Sequence, residues 1–321
     1  MNSGHIDVSV VIVSWNTQEL VRQCLKSLES ARAGLSVEII LVDNASADDT
    51  VKLVREQFPW VKVVQNATNV GFAKANNIGI GISSGEYIAL INSDVVVPDG
   101  CLDKMVDYLN QQADIGMLGP KMILRDGSVG QSCYRSPTVW RWFCNAVGLN
   151  FFFGEDMAPG DSATKDFNHD KIREVDVLTG WFWLVRRKAT DRIGVLDDQF
   201  FMYGEDLDWP KRFHDGGWRV VFYPEAYAIH YCGASSAQAP SRFYVEMNRA
   251  NLQYFRKHHG LPGVVGFWLT TWLHQILRIT GYCFVYMLNQ SNRANAHYKV
   301  RRSIACLRWL MGLQKPSEVR R

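Results

Sequence analysis

The sequence predicts an α/β protein with a mostly parallel, doubly wound sheet and a helical C-terminal appendage. Four apolar, β-branched runs alternate with amphipathic runs between residues 8 and 91, and polar residues follow each apolar run. Strands that alternate with helices at this spacing favour a parallel sheet, because each parallel return needs a crossover. The hydrophobic fraction of 47% and the aromatic fraction of 12% exclude a disordered chain.

The elements of the first half follow from residue patterns in chain order. Val8–Ser14 is a continuous β-branched run, as expected of a strand buried on both faces, and the apolar face of Gln18–Ser30 predicts a helix. The same alternation predicts strands at Val37–Val42, Val61–Gln65 and Tyr87–Ile91, and helices at Ala47–Phe58 and Lys74–Ile82.

The second half is less regular, and residues 126–172 predict loops with short helices. Its patterns predict strands at Gly116–Met122, Val175–Arg186, Arg219–Tyr223 and Ala228–Tyr231, and helices after Tyr203 and at Arg242–His258. We expect an α/β domain over residues 1–240 and a basic, hydrophobic helical region over residues 241–321.

The C-terminal region is strongly basic. Residues 241–321 carry 13 Lys/Arg and 2 Asp/Glu, whereas residues 1–240 carry 22 and 30. The apolar run Leu261–Leu288 is interrupted by His274, Gln275 and Arg278, which disfavours a clean membrane span. Tryptophans followed by many cations predict instead that 261–310 meets a membrane surface. A helical subdomain that packs on the core or on a second subunit stays open, and no nucleic-acid motif is present.

The cysteines and the N-terminus bear on location. The seven cysteines form no CxxC pair, which favours free thiols in a reducing compartment. Residues 1–7 lead straight into a strand pattern without a signal-peptide pattern. We therefore expect a cytoplasmic protein at the inner face of the cytoplasmic membrane.

Polar residues follow each predicted parallel strand, where ligands of such sheets bind. Ser14 and Asn16 follow the first strand, Asp43 the second, Asn69 the third, and Asn92, Ser93 and Asp94 the fourth. Asp94 is placed to hold a hard cation, although an Asx turn is the alternative. The glycines at 79, 81 and 85 precede a strand rather than a helix, so they do not predict a dinucleotide-binding loop.

Two further features could carry chemistry. Glu205, Asp206 and Asp208 form an acidic cluster that suits a helix start, and a crowded carboxylate there can also act as a general base. His230 ends a predicted strand and becomes a metal-ligand candidate if it meets Asp94 in space.

Seven motifs in this order resemble the inverting glycosyltransferases of family 2, which have the GT-A fold. The motifs are VVIVSWN (10–16), ILVDNASADDT (40–50), NVGFAKANNIGI (69–80), INSDVVV (91–97), GWFWLVRR (180–187), FFMYGEDLDW (200–209) and HYCGAS (230–235). The resemblance covers roughly residues 6–258 and makes 1–240 a GT-A catalytic domain. Within the family it is most similar to bacterial rhamnosyltransferases that use dTDP-L-rhamnose.

The resemblance implies roles for single residues. Ser14, Asn16 and Asp43 would line the base and ribose site, with Asn69 and Lys74 near the nucleotide. Asn92, Ser93 and Asp94 stand where the family has its DxD motif, and Asp94 with His230 would hold Mg²⁺ or Mn²⁺. Asp206 would be the catalytic base, Glu205 would orient it or meet the acceptor, and Trp181 would form part of an acceptor platform.

This sequence departs from the family pattern at two positions. Asn92 replaces the first acid of the DxD motif, which places more of the metal contact on Asp94. Pro210 follows Asp208-Trp209, so either the helix starts after Asp206 or its first turn is distorted. The choice between Asp206 and Asp208 as the base therefore stays open.

The function expected from the resemblance is sugar transfer from a dTDP- or UDP-sugar onto a glycan or polyprenol-linked acceptor in bacterial cell-surface polysaccharide synthesis. A UDP-hexose donor is one alternative, and a non-catalytic sugar-nucleotide-binding protein is an alternative of another class. A nucleotidyltransferase would need a Gly-rich phosphate loop where Ser14 to Thr17 stand. A homo-oligomer is also possible.

Overall fold

The computed structural model describes residues 5–31, 34–149, 169–232 and 238–318. The chain divides into two compact units, one formed by 1–136 with 167–235 and the other by 137–166 with 236–321. Residues 150–168 of the predicted loop segment and 233–235 of the last motif lie outside the described residues.

The first half of the chain forms parallel strands joined by helices, as predicted. The elements are β1 (Val8–Ser14), α1 (Gln18–Ala31), β2 (Val37–Asp43), α2 (Thr50–Gln57), β3 (Lys62–Gln65), α3 (Phe72–Gly81) and β4 (Tyr87–Asn92). β1 pairs in parallel with β2 and β4, and β2 pairs in parallel with β3. The second helix begins at Thr50 rather than Ala47, because Asp48 accepts a hydrogen bond from the Thr50 N–H and holds the preceding turn.

The second half completes a mixed sheet. Its elements are β5 (Val95–Val96), α4 (Cys101–Gln111), β6 (Ile115–Leu124), β7 (Val129–Gly130), β8 (Cys133–Tyr134), α5 (Val139–Val147), β9 (Arg173–Glu174), β10 (Val177–Leu178), β11 (Phe182–Arg186), α6 (Arg187–Ile193), α7 (Glu205–Asp215) and β12 (Arg219–His230). The main sheet has the order β3-β2-β1-β4-β11-β6-β12-β5, and β11 runs antiparallel to both neighbours.

Two strand predictions differ from the structure. The two short strands predicted at 219–223 and 228–231 form the single strand β12, with a register shift between Tyr223 and Tyr227. The single strand predicted over 175–186 is two strands, β10 and β11, separated by Thr179 to Trp181.

The core lies on both faces of the sheet. Val8, Val10 and Ile12 pack with α1 on one face, and Val11 packs with α3 on the other. A Cβ at Gly79 would lie 2.3 Å from Val11 Cγ1, so this glycine permits close packing of α3 on the sheet.

The second unit is helical. It contains α5, α8 (Pro240–Leu288) and α9 (Arg293–Leu310). The helix predicted at 242–258 continues to Leu288 across a kink at Gly260, whose φ of 60° and ψ of −157° are not helical. Within the described ranges, no helix combines the length and apolarity that a bilayer span requires.

Candidate active site

The ends of β1 and β2 hold a buried carboxylate. Ser14 lies opposite Asp43 in the parallel register, and both side chains are fully buried. The Ser14 hydroxyl donates to Asp43 Oδ1 at 3.1 Å. Ser46 donates its hydroxyl to the same oxygen and its backbone N–H to Oδ2 at 3.0 Å. These donors fix the Asp43 carboxylate, which can accept a further hydrogen bond from a ligand N–H.

Amide side chains shape the loops beyond these strands. Asn16 has a φ of 52°, and its Oδ1 accepts from the Ala47 N–H at 2.7 Å. Asn69 Oδ1 accepts from the Gly71 N–H at 3.0 Å, directly before α3. Lys74 is exposed in the first turns of α3. The structure thus gives Asn16 and Asn69 roles in loop geometry and leaves the Lys74 ammonium open to solvent.

The segment after β4 is tied to two other parts of the first unit. The Asn92 backbone N–H donates to the Trp181 carbonyl at 2.9 Å. The Ser93 hydroxyl lies 3.1 Å from the Thr17 hydroxyl. These contacts hold the chain on the N-terminal side of Asp94.

Asp94 and His230 meet in space, although 136 positions separate them in the sequence. β5 pairs antiparallel with β12 and places Val95 opposite His230. As a result, His230 Nε2 lies 3.0 Å from Asp94 Oδ1, and both side chains are buried. Sequence separation alone could not have indicated this contact, because it depends on the register of β5 and β12.

The His230 ring is held by two neighbours. The Trp181 ring stacks on it, with centroids 5.4 Å apart and planes inclined by 18°. Cys232 Sγ lies 3.3 Å from His230 Nδ1. Trp181 is itself buried, and its role as an acceptor platform stays a prediction. Cys232 was not predicted as a site residue, and only its position two residues after His230 could have indicated it.

The Asp94–His230 pair fits a hard divalent cation. A carboxylate oxygen and a neutral imidazole nitrogen are both possible ligands of Mg²⁺ or Mn²⁺, and Asp94 Oδ1 and His230 Nε2 lie together, 3.0 Å apart. The described residues contain no group of three or more His, Cys, Asp or Glu side chains that could hold a metal. Mg²⁺ generally keeps several waters and takes further ligands from substrate phosphates.

The start of α7 carries two poorly solvated carboxylates. Glu205 Oε1 accepts from the Tyr203 N–H at 3.1 Å. Glu205 Oε2 and Asp206 Oδ1 are buried and have no hydrogen-bond partner among the described residues. Burial raises the pKa of Glu205 to about 7. Burial, and then the charge of Glu205, raises the pKa of Asp206 well above its ordinary value. Such a pair retains a proton near neutrality and suits proton transfer.

Asp208 has a structural role. It is fully buried, and its Oδ2 accepts from Arg212 Nε at 2.8 Å. Arg212 also donates to the carbonyls of Ile193 and Val195, so this pair ties α7 to the end of α6. Glu205 and Asp206 each have one carboxylate oxygen without a hydrogen-bond partner among the described residues, whereas Asp208 is paired with Arg212.

Pro210 lies inside α7, which begins at Glu205 and not after Asp206. Proline has no N–H for the carbonyl four residues earlier, which belongs to Asp206. The first turn includes a tighter hydrogen bond, from the Leu207 N–H to the Gly204 carbonyl at 3.2 Å. Of the two predicted possibilities, the structure shows the altered first turn.

The two acidic centres are linked through one short segment. A Cβ at Gly180 would lie 3.7 Å from Asp206 Cβ, and the next residue, Trp181, stacks on His230. The Gly180–Trp181 segment therefore lies next to both Asp206 and His230.

We expect Glu205→Gln to stabilise the fold more at about pH 8 than at about pH 5. A carboxyl whose folded pKa is about 7, against an ordinary 4.5, contributes stability that is complete below the lower value and lost as pH rises through the higher one. The neutral amide does not suffer this loss, so the gain at high pH should reach a few kcal/mol. Urea unfolding at several pH values measures it.

The control for this experiment is Asp191→Asn, because Asp191 is an exposed carboxylate on α6. Its free energy of unfolding should differ from that of the wild type by a pH-independent amount. A Glu205→Gln difference that also stays constant between the two pH values would contradict the raised pKa.

A family comparison covers most of the first unit. The model of the family described as "Glycosyl transferase family 2" matches residues 9–194. The match runs from β1 through α6 and includes the Asp43 and Asp94 positions.

Two curated relatives share the region. The chain is 26% identical over 265 residues to the N-acetylglucosaminyl-diphospho-decaprenol L-rhamnosyltransferase of Mycobacterium tuberculosis, covering 78% of this chain and 84% of the relative. It is 24% identical over 238 residues to the O-antigen biosynthesis protein RfbC of Myxococcus xanthus, covering 72% of this chain and 18% of the relative.

Two solved structures have a similar fold. The mannosyltransferase PcManGT from Pyrobaculum calidifontis, solved with GDP-Man and Mn²⁺, superposes with a TM-score of 0.56 at 16% identity, covering 98% of this chain and 89% of that one. Residues 1–349 of TarS from S. aureus superpose with a TM-score of 0.50 at 16% identity, covering 96% and 83%. At these identities the likeness concerns the fold.

Proposed function

Because the chain belongs to glycosyl transferase family 2, we propose that it is an inverting rhamnosyltransferase that transfers L-rhamnose from dTDP-L-rhamnose to a glycan or polyprenol-linked acceptor. It has the GT-A fold and is a glycosyltransferase. The observation that carries the proposal is the pairing of Asp94 with His230, together with the raised pKa values of Glu205 and Asp206. The rhamnose donor is supported by the mycobacterial relative.

Asp206 acts in this proposal as the base that takes the proton of the acceptor hydroxyl. The raised pKa increases the proton affinity of the Asp206 carboxylate. A general base works best when its pKa lies near the working pH. Asp208 cannot take this role without giving up its ion pair with Arg212. Direct attack of the acceptor oxygen on the anomeric carbon then inverts that centre.

Ser14 and Asp43 bind the nucleoside. The Asp43 carboxylate, already fixed by Ser14 and Ser46, accepts a hydrogen bond from the base N–H. Thymine and uracil present the same N–H, so these contacts suit either base. The Asn92 backbone N–H donates to the Trp181 carbonyl at 2.9 Å. The Asn92 side-chain amide would bind a ribose hydroxyl.

Asp94 and His230 would hold Mg²⁺ or Mn²⁺, because a carboxylate oxygen and an imidazole nitrogen lie together there. When bound, such an ion stabilises the negative charge that develops on the leaving diphosphate. The solved mannosyltransferase of similar fold contains Mn²⁺, which supports a divalent cofactor.

The acceptor is proposed to be lipid-linked and to meet the enzyme at the inner face of the cytoplasmic membrane. The mycobacterial relative is named for a decaprenol-linked acceptor. Many exposed apolar side chains and 13 Lys/Arg over residues 241–321 support a membrane surface as partner.

The test is nucleotide release from a panel of donors, namely dTDP-rhamnose, UDP-glucose, UDP-galactose, UDP-GlcNAc and GDP-mannose. We expect slow hydrolysis of dTDP-rhamnose with Mg²⁺ or Mn²⁺, and its loss with EDTA. Donor binding is measured in parallel by calorimetry, because turnover can require acceptor. Metal-dependent release from a UDP-sugar would replace the donor with a UDP-hexose, and failure to bind any donor would contradict the proposed function.

A further inference from the structure

The second half of α8 has its polar side chains turned inward. Gln275 is fully buried, and its Nε2 donates to the Tyr244 hydroxyl at 2.8 Å. His274 Nδ1 lies 3.2 Å from the carbonyl of Ala146 on α5. The polar residues that interrupt the apolar run in the sequence therefore pack inside the helical unit.

The outward side of the same helix is apolar. Ile276 and Leu277, which follow the buried Gln275, are 44% and 46% exposed. Apart from the adjacent pair Ile276–Leu277, the exposed apolar residues are spaced by three, four or seven positions, which places them along one side of the helix. We call them the apolar stripe: Val265, Leu269, Leu273, Ile276, Leu277, Phe284 and Met287. A helical subdomain in water would show the opposite arrangement.

Three cations gather where α8 packs on α9, and aromatic rings support them. The Arg302 guanidinium lies 4.1 Å from the Tyr244 ring centroid and 5.7 Å from that of Tyr298. Lys299 Nζ lies 5.9 Å from the same Tyr298 ring. On α8, the Arg278 guanidinium lies 5.3 Å from the Tyr282 ring centroid.

These cations lack anionic partners. Among the described residues none of the three forms an ion pair, and the Nε atoms of Arg278 and Arg302 are buried without hydrogen-bond partners. The only acidic residues after position 237 are Glu246, which pairs with Arg249, and Glu318, which caps its own turn. Unpaired, partly desolvated guanidinium groups leave donors available for a planar or tetrahedral oxyanion.

The uncompensated positive charge also lowers the pKa of groups close to it. Desolvation, followed by repulsion from Arg302 and Arg278, lowers the pKa of Lys299. The same two arginines contribute to the lowered pKa of His274, after its burial. Each cation destabilises the others, so a bound anion would relieve an existing cost.

We propose that Arg278, Lys299 and Arg302 bind the phosphate of an anionic phospholipid headgroup while the apolar stripe lies in the membrane interface. This deepens the membrane-surface part of the proposed function. Arginine forks match the phosphate oxygens, and the aromatic rings hold the forks in place. A second copy of this chain is a poor occupant, because the same face of the copy is also cationic.

The experiment measures binding of the full chain to vesicles of phosphatidylglycerol mixed with phosphatidylcholine, and to phosphatidylcholine alone. Arg302→Gln is compared with Arg301→Gln, which removes the same charge from an exposed neighbour on α9. An exposed cation near the surface is worth about fivefold in affinity. Loss of headgroup hydrogen bonds as well should make the Arg302→Gln defect about 30-fold or more on the mixed vesicles.

Two further variants and two readouts complete the test. Arg302→Lys keeps the charge but loses the bidentate guanidinium, so its vesicle affinity should lie between those of Arg301→Gln and Arg302→Gln. Arg278→Gln replaces Arg302→Gln if that variant does not fold. All of these variants should hydrolyse the donor in the absence of acceptor at the wild-type rate. A negative result in vesicle binding would therefore contradict the lipid site and not the proposed function. Equal defects in Arg301→Gln and Arg302→Gln would overturn the site. Saturable inorganic phosphate binding that only Arg302→Gln loses, with unchanged vesicle binding, would overturn the lipid as its source.

Discussion

Replacing Asp206 with asparagine is expected to lower kcat by about 100- to 10,000-fold, the usual contribution of a positioned base. The amide has nearly the same shape but cannot take the acceptor proton. The fold should be retained or stabilised, because the change removes one of two buried carboxylates that repel each other. Nucleotide release with saturating donor and acceptor measures kcat, and urea unfolding measures stability.

Asp208→Asn is the matched control for this prediction. Breaking the buried pair with Arg212 should cost about 3 kcal/mol or more of unfolding free energy, while turnover per folded molecule stays near the wild-type value. The two variants should therefore separate activity from stability. Full turnover in Asp206→Asn, or a loss of turnover confined to Asp208→Asn, would remove Asp206 from the role of base.

The raised pKa values predict how kcat changes with pH. Asp206 must be ionised to act as the base and its pKa lies well above its ordinary value, so kcat should rise with pH above the range in which an ordinary aspartate is already ionised. Glu205→Gln removes the negative neighbour that helps to raise the pKa of Asp206, and the rising limb should move to lower pH.

The strands of the first half could be predicted because continuous β-branched runs, such as Val8–Ser14, have few alternatives to a doubly buried strand. Positions set by side-chain contacts were harder to predict. The start of α2 depends on hydrogen bonds from Thr50 to Asp48, and β12 continues through the irregularity near Tyr223 because β6 pairs with both of its halves. The length of α8 was missed because Gly260 and Pro262 are usual ends of helices, whereas here they produce a kink.

The candidate site was predictable only in part. The edge of the sheet that carries Ser14 and Asp43 follows from strand direction. The meeting of Asp94 and His230 was implied by the family resemblance alone, because it arises from an antiparallel pairing of a two-residue strand. The stacking of Trp181 on His230 and the contact of Cys232 with Nδ1 are tertiary details that residue patterns do not encode.

Asp94→Asn is expected to lower kcat/KM for the donor by about 100-fold or more, because loss of a direct ligand exceeds the 10- to 100-fold effect of losing a supporting contact. The amide keeps the size of the side chain and can still contact His230 Nε2, which lies 3.0 Å from Oδ1 in the wild type. It removes the anionic oxygen that a hard cation prefers. Nucleotide release is measured against Mn²⁺ concentration, and Mn²⁺ binding in the presence of nucleoside diphosphate is measured separately by electron paramagnetic resonance.

The matched control is Asp99→Asn, which removes the same charge from an exposed position five residues later. If Asp94 is a ligand, only Asp94→Asn should need more Mn²⁺ for half-maximal release and show weaker Mn²⁺ binding. His230→Gln should shift the Mn²⁺ requirement in the same direction, because its Nε2 faces the same point. If Asp94→Asn loses activity but binds Mn²⁺ as the wild type does, Asp94 acts on the substrate rather than on the metal. An unchanged kcat/KM would mean that the buried Asp94–His230 pair only joins β5 to β12.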